Sequence, residues 1–310
     1  MKIITEKNAA LFLAFNAVLW GTSYVLSKML LSFLPRFSIL FLCSLGGLVL
    51  TVILFHRSLK SISLRTMAVS AGISGFSVLS NTFFMLALQF TSSSNTAFIV
   101  QLSVVFTPFL MAIIEKKLPE GKTVFSVATA LLGLFLLTCN IGTFSFNPGD
   151  MLALGNAFFF SVFLTSQKIF LQKANPVHFM LVHHCTNTAV FLTLAAVFEF
   201  RSIDYSGLIS PAFALLMGLS IFIAGATVLI QSVAIRHVRP EKATLVYTLE
   251  PVATLVLAYI FIGERLEGFG PVAGCLLILL SIVHPLFFRK RRQKQLRALV
   301  PVSPLREHTR

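Results

Sequence analysis

The chain has 310 residues, of which 56% are hydrophobic and only 12% charged. A soluble domain carries roughly 25% charged residues, so the polar surface needed to cover a core of this size in water is missing, and lipid is the solvent that removes the deficit. The net charge of +14 comes from basic residues set in short clusters between long apolar runs, with one dense run at the end; that is a membrane-protein pattern, and it excludes the continuous basic face of a nucleic-acid-binding protein.

In chain order, Met1 to Lys7 and the apolar run from Ala9 resemble a signal peptide. The run extends to about Leu31 without a small-x-small cleavage site, so it reads as a retained first helix. A spanning helix needs roughly 20 mostly apolar residues. Windows of that length predict ten, at 9–31, 36–56, 66–88, 93–114, 122–140, 149–171, 177–199, 207–234, 242–263 and 269–288. The first carries Asn16, Trp20 and Lys28, the third Asn81, the fourth Gln101, and the sixth Asn156 and Lys168. The seventh holds His178, His183 and His184, the eighth Gln231, and the ninth Tyr247, Glu250 and Pro251. With no water in the hydrocarbon to satisfy backbone groups, these runs must be helices, and the alternation of a barrel strand is absent. The predicted fold is therefore an all-α integral membrane protein.

The tail from Arg289 is charged and then polar, with Pro301 and Pro304. It has too little apolar surface to fold and reads as a topology signal that also suits anionic headgroups. Placing the N-terminus in the cytoplasm puts all of the 25 lysines and arginines inside except Lys28, Arg36, Arg201 and Arg265. An odd helix count would scramble that partition, so the asymmetry predicts ten helices with both termini cytoplasmic in a bacterial inner membrane. Cys43, Cys139, Cys185 and Cys275 form no C-x-x-C pair; no metal framework or disulfide set is expected, and they read as small apolar filler.

The two halves echo one another. Asn16-Ala17, ten residues and then Lys28 correspond to Asn156-Ala157, ten residues and then Lys168. Ile113-Ile114-Glu115-Lys116 corresponds to Ile262-Gly263-Glu264-Arg265, so the offset drifts from 140 to 149. Each unit has five helices, and an odd number turns the second unit upside down relative to the first. The reading is two inverted repeats, 1–141 and 148–289, followed by a basic cytoplasmic tail, 290–310. Such repeats put a solute site near the midplane between them, and rocking about that site gives alternating access.

Three stretches carry a family resemblance. They are Trp20-Gly21-Thr22-Ser23 leading to Lys28, the run from Ala87 to Ala97 (Ala-Leu-Gln-Phe-Thr-Ser-Ser-Ser-Asn-Thr-Ala), and Leu249-Glu250-Pro251-Val252 followed by Gly263-Glu264-Arg265-Leu266. In this order they resemble the signatures of the EamA branch of the drug/metabolite transporter superfamily. The resemblance implies ten helices in two inverted repeats, cytoplasmic termini, and solute export or exchange through a central cavity. Two positions depart from the pattern. The arginine that often follows the second helix's proline by a turn or two stands directly after Pro35, as Arg36, with Cys43 near the usual place; the fourth-helix proline is displaced to Pro108.

Among the candidate substrate-binding residues, Glu250 is the sharpest. A charged group near the bilayer centre costs at least about 2.5–3.5 kcal/mol, so Glu250 must face a cavity, or be protonated and tie two helices together by a hydrogen bond. Pro251 has no amide hydrogen, so the Tyr247 carbonyl loses its helical partner. An acceptor, a carboxyl and the Tyr247 hydroxyl then gather within one turn, a set suited to a cation, a proton or an amine. Asn16 and Asn156 occupy equivalent points of the repeats; they either glue helices, at roughly 0.6 kcal/mol each, or line the cavity. Trp20, one turn after Asn16, is placed to cover an apolar solute. Asn81, Gln101 and Gln231 are isolated amides divided between the same two roles, and Gln101 aligns roughly with Glu250 across the repeat.

The plainer readings concern the remaining polar groups. The histidines' spacing does not put all three on one face, so packing or an interfacial position is expected over a proton relay. Lys28 and Lys168 are expected to snorkel to the interface, and Glu115 and Glu264 to serve turns and caps. Gly121-Lys122-Thr123 is no phosphate loop, since Lys116 stands where a glycine is required. No cofactor is expected. The predicted function is a gradient-driven transporter exporting a small metabolite, amino acid or drug-like amine across the lipid bilayer, with a proton as candidate coupling ion. The oligomeric state is not legible. A lipid-modifying intramembrane enzyme would require paired carboxylates or a supported histidine, and a scaffold or sensor would be expected to add a soluble domain.

Overall fold

The computed structural model describes residues 4–58, 62–138, 148–199, 201, 206–263, 270, 272–274 and 276–282. Cys139, Cys275, Glu264, Arg265 and the basic tail 290–310 lie outside the described residues. Every regular element among the described residues is helical. In chain order these are α1 (Ala9–Leu30), α2 (Arg36–Phe55, extended by a 3-10 turn, His56–Ser58), α3 (Leu64–Phe90), α4 (Ser93–Val100), α5 (Ser103–Glu115) and α6 (Gly121–Thr138). There follow α7 (Pro148–Leu171), α8 (Pro176–Phe198), α9 (Pro211–Ala234), α10 (Pro240–Tyr247) and α11 (Glu250–Ile262), then α12 (Val272–Ile282).

Among the described residues, eight segments are long and apolar enough to cross a membrane: α1, α2 with its 3-10 turn, α3, α4 with α5, α7, α8, α9, and α10 with α11. The predicted windows 122–140 and 269–288 coincide with the shorter apolar helices α6 and α12. Leu11, Ile53, Phe109, Phe222 and Ile260 are exposed on the outside of the bundle, as a hydrocarbon-facing surface requires and a water-facing one would not tolerate. Local signals set the starts. The side chains of Ser63, Ser92 and Ser210 accept from the backbone amides of Thr66, Asn95 and Phe213, capping α3, α4 and α9. Proline opens α8, α9 and α10, where its missing amide leaves no bond unmade.

The fourth and ninth windows do not form continuous helices. Each divides into a half of eight residues and a half of thirteen. At each break the backbone tightens to three-residue bonds: Gln101 and Leu102 donate to Phe98 and Ile99 at 3.1 and 3.0 Å, and Thr248 and Leu249 donate to Leu245 and Val246 at 3.3 and 3.2 Å. Pro251 stands at the second break, where it leaves the Tyr247 carbonyl with no amide to receive. No proline serves the first; Pro108 lies inside α5. The longer halves also end alike, with Lys116 at φ 51° and Gly263 at φ 74°.

The helices pack as neighbours α3 on α7, α2 on α8, and α1 on both α9 and α11. The α1–α11 approach depends on Gly21: a Cβ there would stand 2.7 Å from Ala253 Cβ and 2.8 Å from the Glu250 carbonyl oxygen. Gly133 brings α6 equally close to α12, where a Cβ would meet the Gly274 carbonyl oxygen at 2.9 Å. Small residues permit such backbone contact, and in lipid it replaces hydrophobic burial as the source of association.

Candidate solute cavity and the carboxyl behind it

A cavity of about 180 Å³ opens among α1, α2, α3, α4, α7, α8 and α9. A single water needs roughly 10–15 Å³ on this measure, so a small solute fits. Aromatic rings supply one kind of surface: Trp20, Tyr24, Phe84, Phe160, Phe163 and Phe191. Amides, imidazoles and hydroxyls supply the other: Ser77, Ser80, Asn81, Asn156, His183, His184, Asn187, Ser220 and Gln231. No Asp, Glu, Lys or Arg is among the described lining residues.

Several polar groups are pre-set by neighbours. Asn156 Nδ2 donates to the Ser80 carbonyl at 2.6 Å and to its hydroxyl at 3.0 Å. Because the carbonyl accepts only, the amide's orientation is fixed, and Asn156 Oδ1 stays buried without a partner. Gln231 takes a bond from the Tyr247 hydroxyl at 3.0 Å and gives one to Gln167 Oε1 at 2.8 Å. Gln167 in turn reaches the Ser232 hydroxyl at 3.1 Å. His183 lies 3.2 Å from the Ser74 hydroxyl and packs against the rings of Phe163 and Phe179. His184 rests on Gly47, where any Cβ would stand 2.5 Å from its ring, and its Nε2 is buried without a partner.

Of the eight sequence candidates, Trp20, Asn81, Asn156 and Gln231 lie on the cavity wall. Asn16, Tyr247, Gln101 and Glu250 are fully buried in a layer behind it. Asn16 Nδ2 donates to the Tyr247 hydroxyl at 3.3 Å, and the Tyr247 ring stacks on Trp20 at 5.4 Å. Glu250 Oε2 accepts from Gln101 Nε2 at 2.8 Å and lies 3.5 Å from the Tyr24 hydroxyl. Glu250 thus bonds between helices, the second of the two arrangements expected of it, and does not line this cavity. The break before α11 and the α1–α11 contact at Gly21 draw its backbone inward, and Tyr24, which itself lines the cavity, occupies the surface position instead.

His183 and His184 are buried and packed, as expected, and they also line the cavity. The amines of Lys28 and Lys168 have specific partners. Lys28 donates to the carbonyls of Leu88 and, at 2.9 Å, Thr91, closing the end of α3. Lys168 donates to the Arg236 carbonyl at 2.8 Å, closing the end of α9. Each places a cation where a helix dipole is negative. Glu115, expected in a turn, forms an ion pair with Arg239 at 2.8 Å that ties the end of α5 to the start of α10.

Tyr24, Asn187 and Glu199 were missed. Tyr24 was within reach of pattern reading, since it follows Trp20 by four residues and so shares its helix face. Glu199 gave no sequence signal. It is buried at the end of α8 and accepts from the backbone amides of Phe37 and Ser38 at 3.0 and 2.9 Å, capping α2 from another helix.

Apolar helices enclosing an uncharged, polar-and-aromatic cavity define a multi-pass membrane protein with room for a small molecule. The profile of the EamA-like transporter family matches residues 7–139 and 147–284, and the chain belongs to that family of membrane transporters. It is similar to the uncharacterized transporter YyaM of Bacillus subtilis, with 24% identity over 77% of this chain and 79% of that one. An uncharacterized transporter of Clostridium kluyveri shares 22% identity over 90% of this chain and 93% of its own. A relative from Archaeoglobus fulgidus, also described as an uncharacterized transporter, shares 24% over 89% and 84%. A protein of known crystal structure superposes with a TM-score of 0.74 at 16% identity, covering 93% of this chain and 99% of the other, and so shares its fold.

Proposed function

We propose that the chain is a gradient-driven secondary transporter that exports a small metabolite, amino acid or drug-like amine by alternating access. The two moving units are residues 1–141 and 148–289, two five-helix repeats of opposite orientation, with α6 and α12 as the fifth and tenth membrane helices. Both termini face the cytoplasm of a bacterial inner membrane. One observation carries the reading: the cavity is walled by helices of both units, α1 to α4 from the first and α7 to α9 from the second. Rocking of one unit against the other would therefore expose the same walls to either side. The matched eight- and thirteen-residue halves of the fourth and ninth spans support the repeat. The proton is the coupling ion we favour.

An intramembrane enzyme has less support, since the described lining offers no carboxylate to work with His183 and His184. The test is flux in reconstituted vesicles. Radiolabelled amino acids and amines are offered to wild type, to Ala224→Trp, which fills the cavity, and to Trp20→Ala, which strips one wall. The expected result is uptake or release of at least one solute by wild type, abolished in Ala224→Trp. Flux that survives with the cavity filled sinks the proposal.

A further inference from the structure

Behind the cavity wall, α1, α4 and the start of α11 enclose one carboxyl. Both neighbouring donors converge on a single oxygen of Glu250: Gln101 Nε2 at 2.8 Å and the Tyr24 hydroxyl at 3.5 Å both meet Oε2. The other oxygen, Oε1, is buried and has no partner. Among the described residues, none forms an ion pair with Glu250. The titratable groups facing it are Tyr24 from α1 and Tyr247 from α10. From α4 comes the amide of Gln101, and α6 and α12 pack Leu134 and Ile278 against α11. Lys28, one turn beyond Tyr24, is engaged by the carbonyls of Leu88 and Thr91.

This arrangement discriminates between ligands. A metal cation is held by several oxygens turned toward it, whereas here an N–H and an O–H are turned toward the carboxyl. Either protonation state can accept these two bonds at Oε2; a neutral acid does so with its carbonyl there and its hydroxyl at Oε1. An uncompensated carboxylate in the same enclosure would be strongly disfavoured. Tyr24 belongs to both compartments: its ring lines the cavity, held edge-on by Phe84 at 4.8 Å, and its hydroxyl points at Glu250.

We propose that Glu250 is a proton-binding site to which Tyr24 is the door. With Tyr24 seated, the acid is dry and neutral. A solute that displaces the Tyr24 ring removes its hydroxyl from Oε2 and admits water to the carboxyl; the acid's O–H bond breaks, its electron pair stays on the carboxylate, and the proton passes to that water. Solute and proton then compete through one side chain, as proton-driven export requires. Only the solute's part in this rests on the transport reading above.

The test is infrared spectroscopy of the full chain in lipid nanodiscs, following the C=O stretch of protonated carboxyls and its shift in D₂O. Wild type should show a band that is missing in Glu250→Gln and displaced in Tyr24→Phe, which loses the donor but keeps the ring. In Tyr24→Ala, exchange of that band should accelerate by about tenfold or more, as removal of a protecting barrier does. Absence of the band in wild type overturns the proton site, as does a band unmoved by Tyr24→Phe. Exchange at the wild-type rate in Tyr24→Ala overturns the door. Should Glu250→Gln fail to fold, the Tyr24→Phe displacement identifies the band. No readout requires flux, so vesicles that move nothing sink the transport reading alone, and a missing band sinks this site alone.

Discussion

The α4–α5 and α10–α11 segments have the same architecture and different chemistry. Each is eight helical residues, a tightened break and thirteen more. One has an amide, Gln101, at its break; the other has a carboxyl, Glu250, two residues after the corresponding position. The neighbours differ in parallel. Gly21 of α1 lets its helix touch the Glu250 carbonyl, while Ser161 of α7, 140 residues on, donates to the Ser103 carbonyl at 3.3 Å. The lesson is that break geometry belongs to the packing, and a proline is only one way to reach it. The same break therefore carries different chemistry in the two segments, an acid in one and its hydrogen-bond donor in the other.

Four substitutions test that comparison, from the largest expected effect to the smallest. Gly21→Val should drive α1 off α11, destabilising the protein by about 3 kcal/mol, since overpacking against backbone has no flexible neighbour to yield; unfolding in denaturant measures it. A stable variant would mean that the close approach is not required. Gln101→Leu leaves Glu250 Oε2 with only the distant Tyr24 hydroxyl, and a loss of about 1–2 kcal/mol is expected in the same assay. No loss would mean that the amide and the carboxyl do not hold the two breaks together. Pro251→Ala should leave the α10–α11 break in place and change stability by less than about 1 kcal/mol. Spin labels at the outer ends of α10 and α11 would reveal a straightened helix, which would return the break to the proline. Ser161→Ala removes one interhelical bond, worth about 0.6 kcal/mol, and should be close to neutral. A large effect would mean that the Gly21 and Ser161 contacts are unequal in kind.

The spans were legible because lipid imposes a length and a composition on any helix that crosses it; their starts were placed less closely, at 66, 207 and 242 where the helices begin at Leu64, Pro211 and Pro240. Which face of each helix points inward was not legible. Helices that are apolar all round give little periodicity, so Trp20 and Asn156 could be proposed for the cavity while His183 and His184 were read as packing and Tyr24 was overlooked. The depth of Glu250 was hidden for a related reason. Its sequence neighbourhood reports a broken helix, but only the approach of α1 at Gly21 decides that the carboxyl sits behind the wall rather than on it. Glu199 and Lys28 illustrate a further limit: each satisfies the backbone of a helix distant in sequence, and no local pattern encodes such a partner.

The ties on α2 and α8 bear on how the protein would move. Glu199 anchors the start of α2 to the end of α8, and at the opposite end His178 lies 2.8 Å from the Ser58 carbonyl. These two helices belong to opposite units, so rocking of one unit against the other must loosen one pin while the other serves as its pivot. Spin labels at the Glu199 end and at the His178 end of the α2–α8 seam should therefore respond unequally to solute and pH, one pair separating while the other holds; a seam that stays constant at both ends under all conditions would show that the units do not rock there.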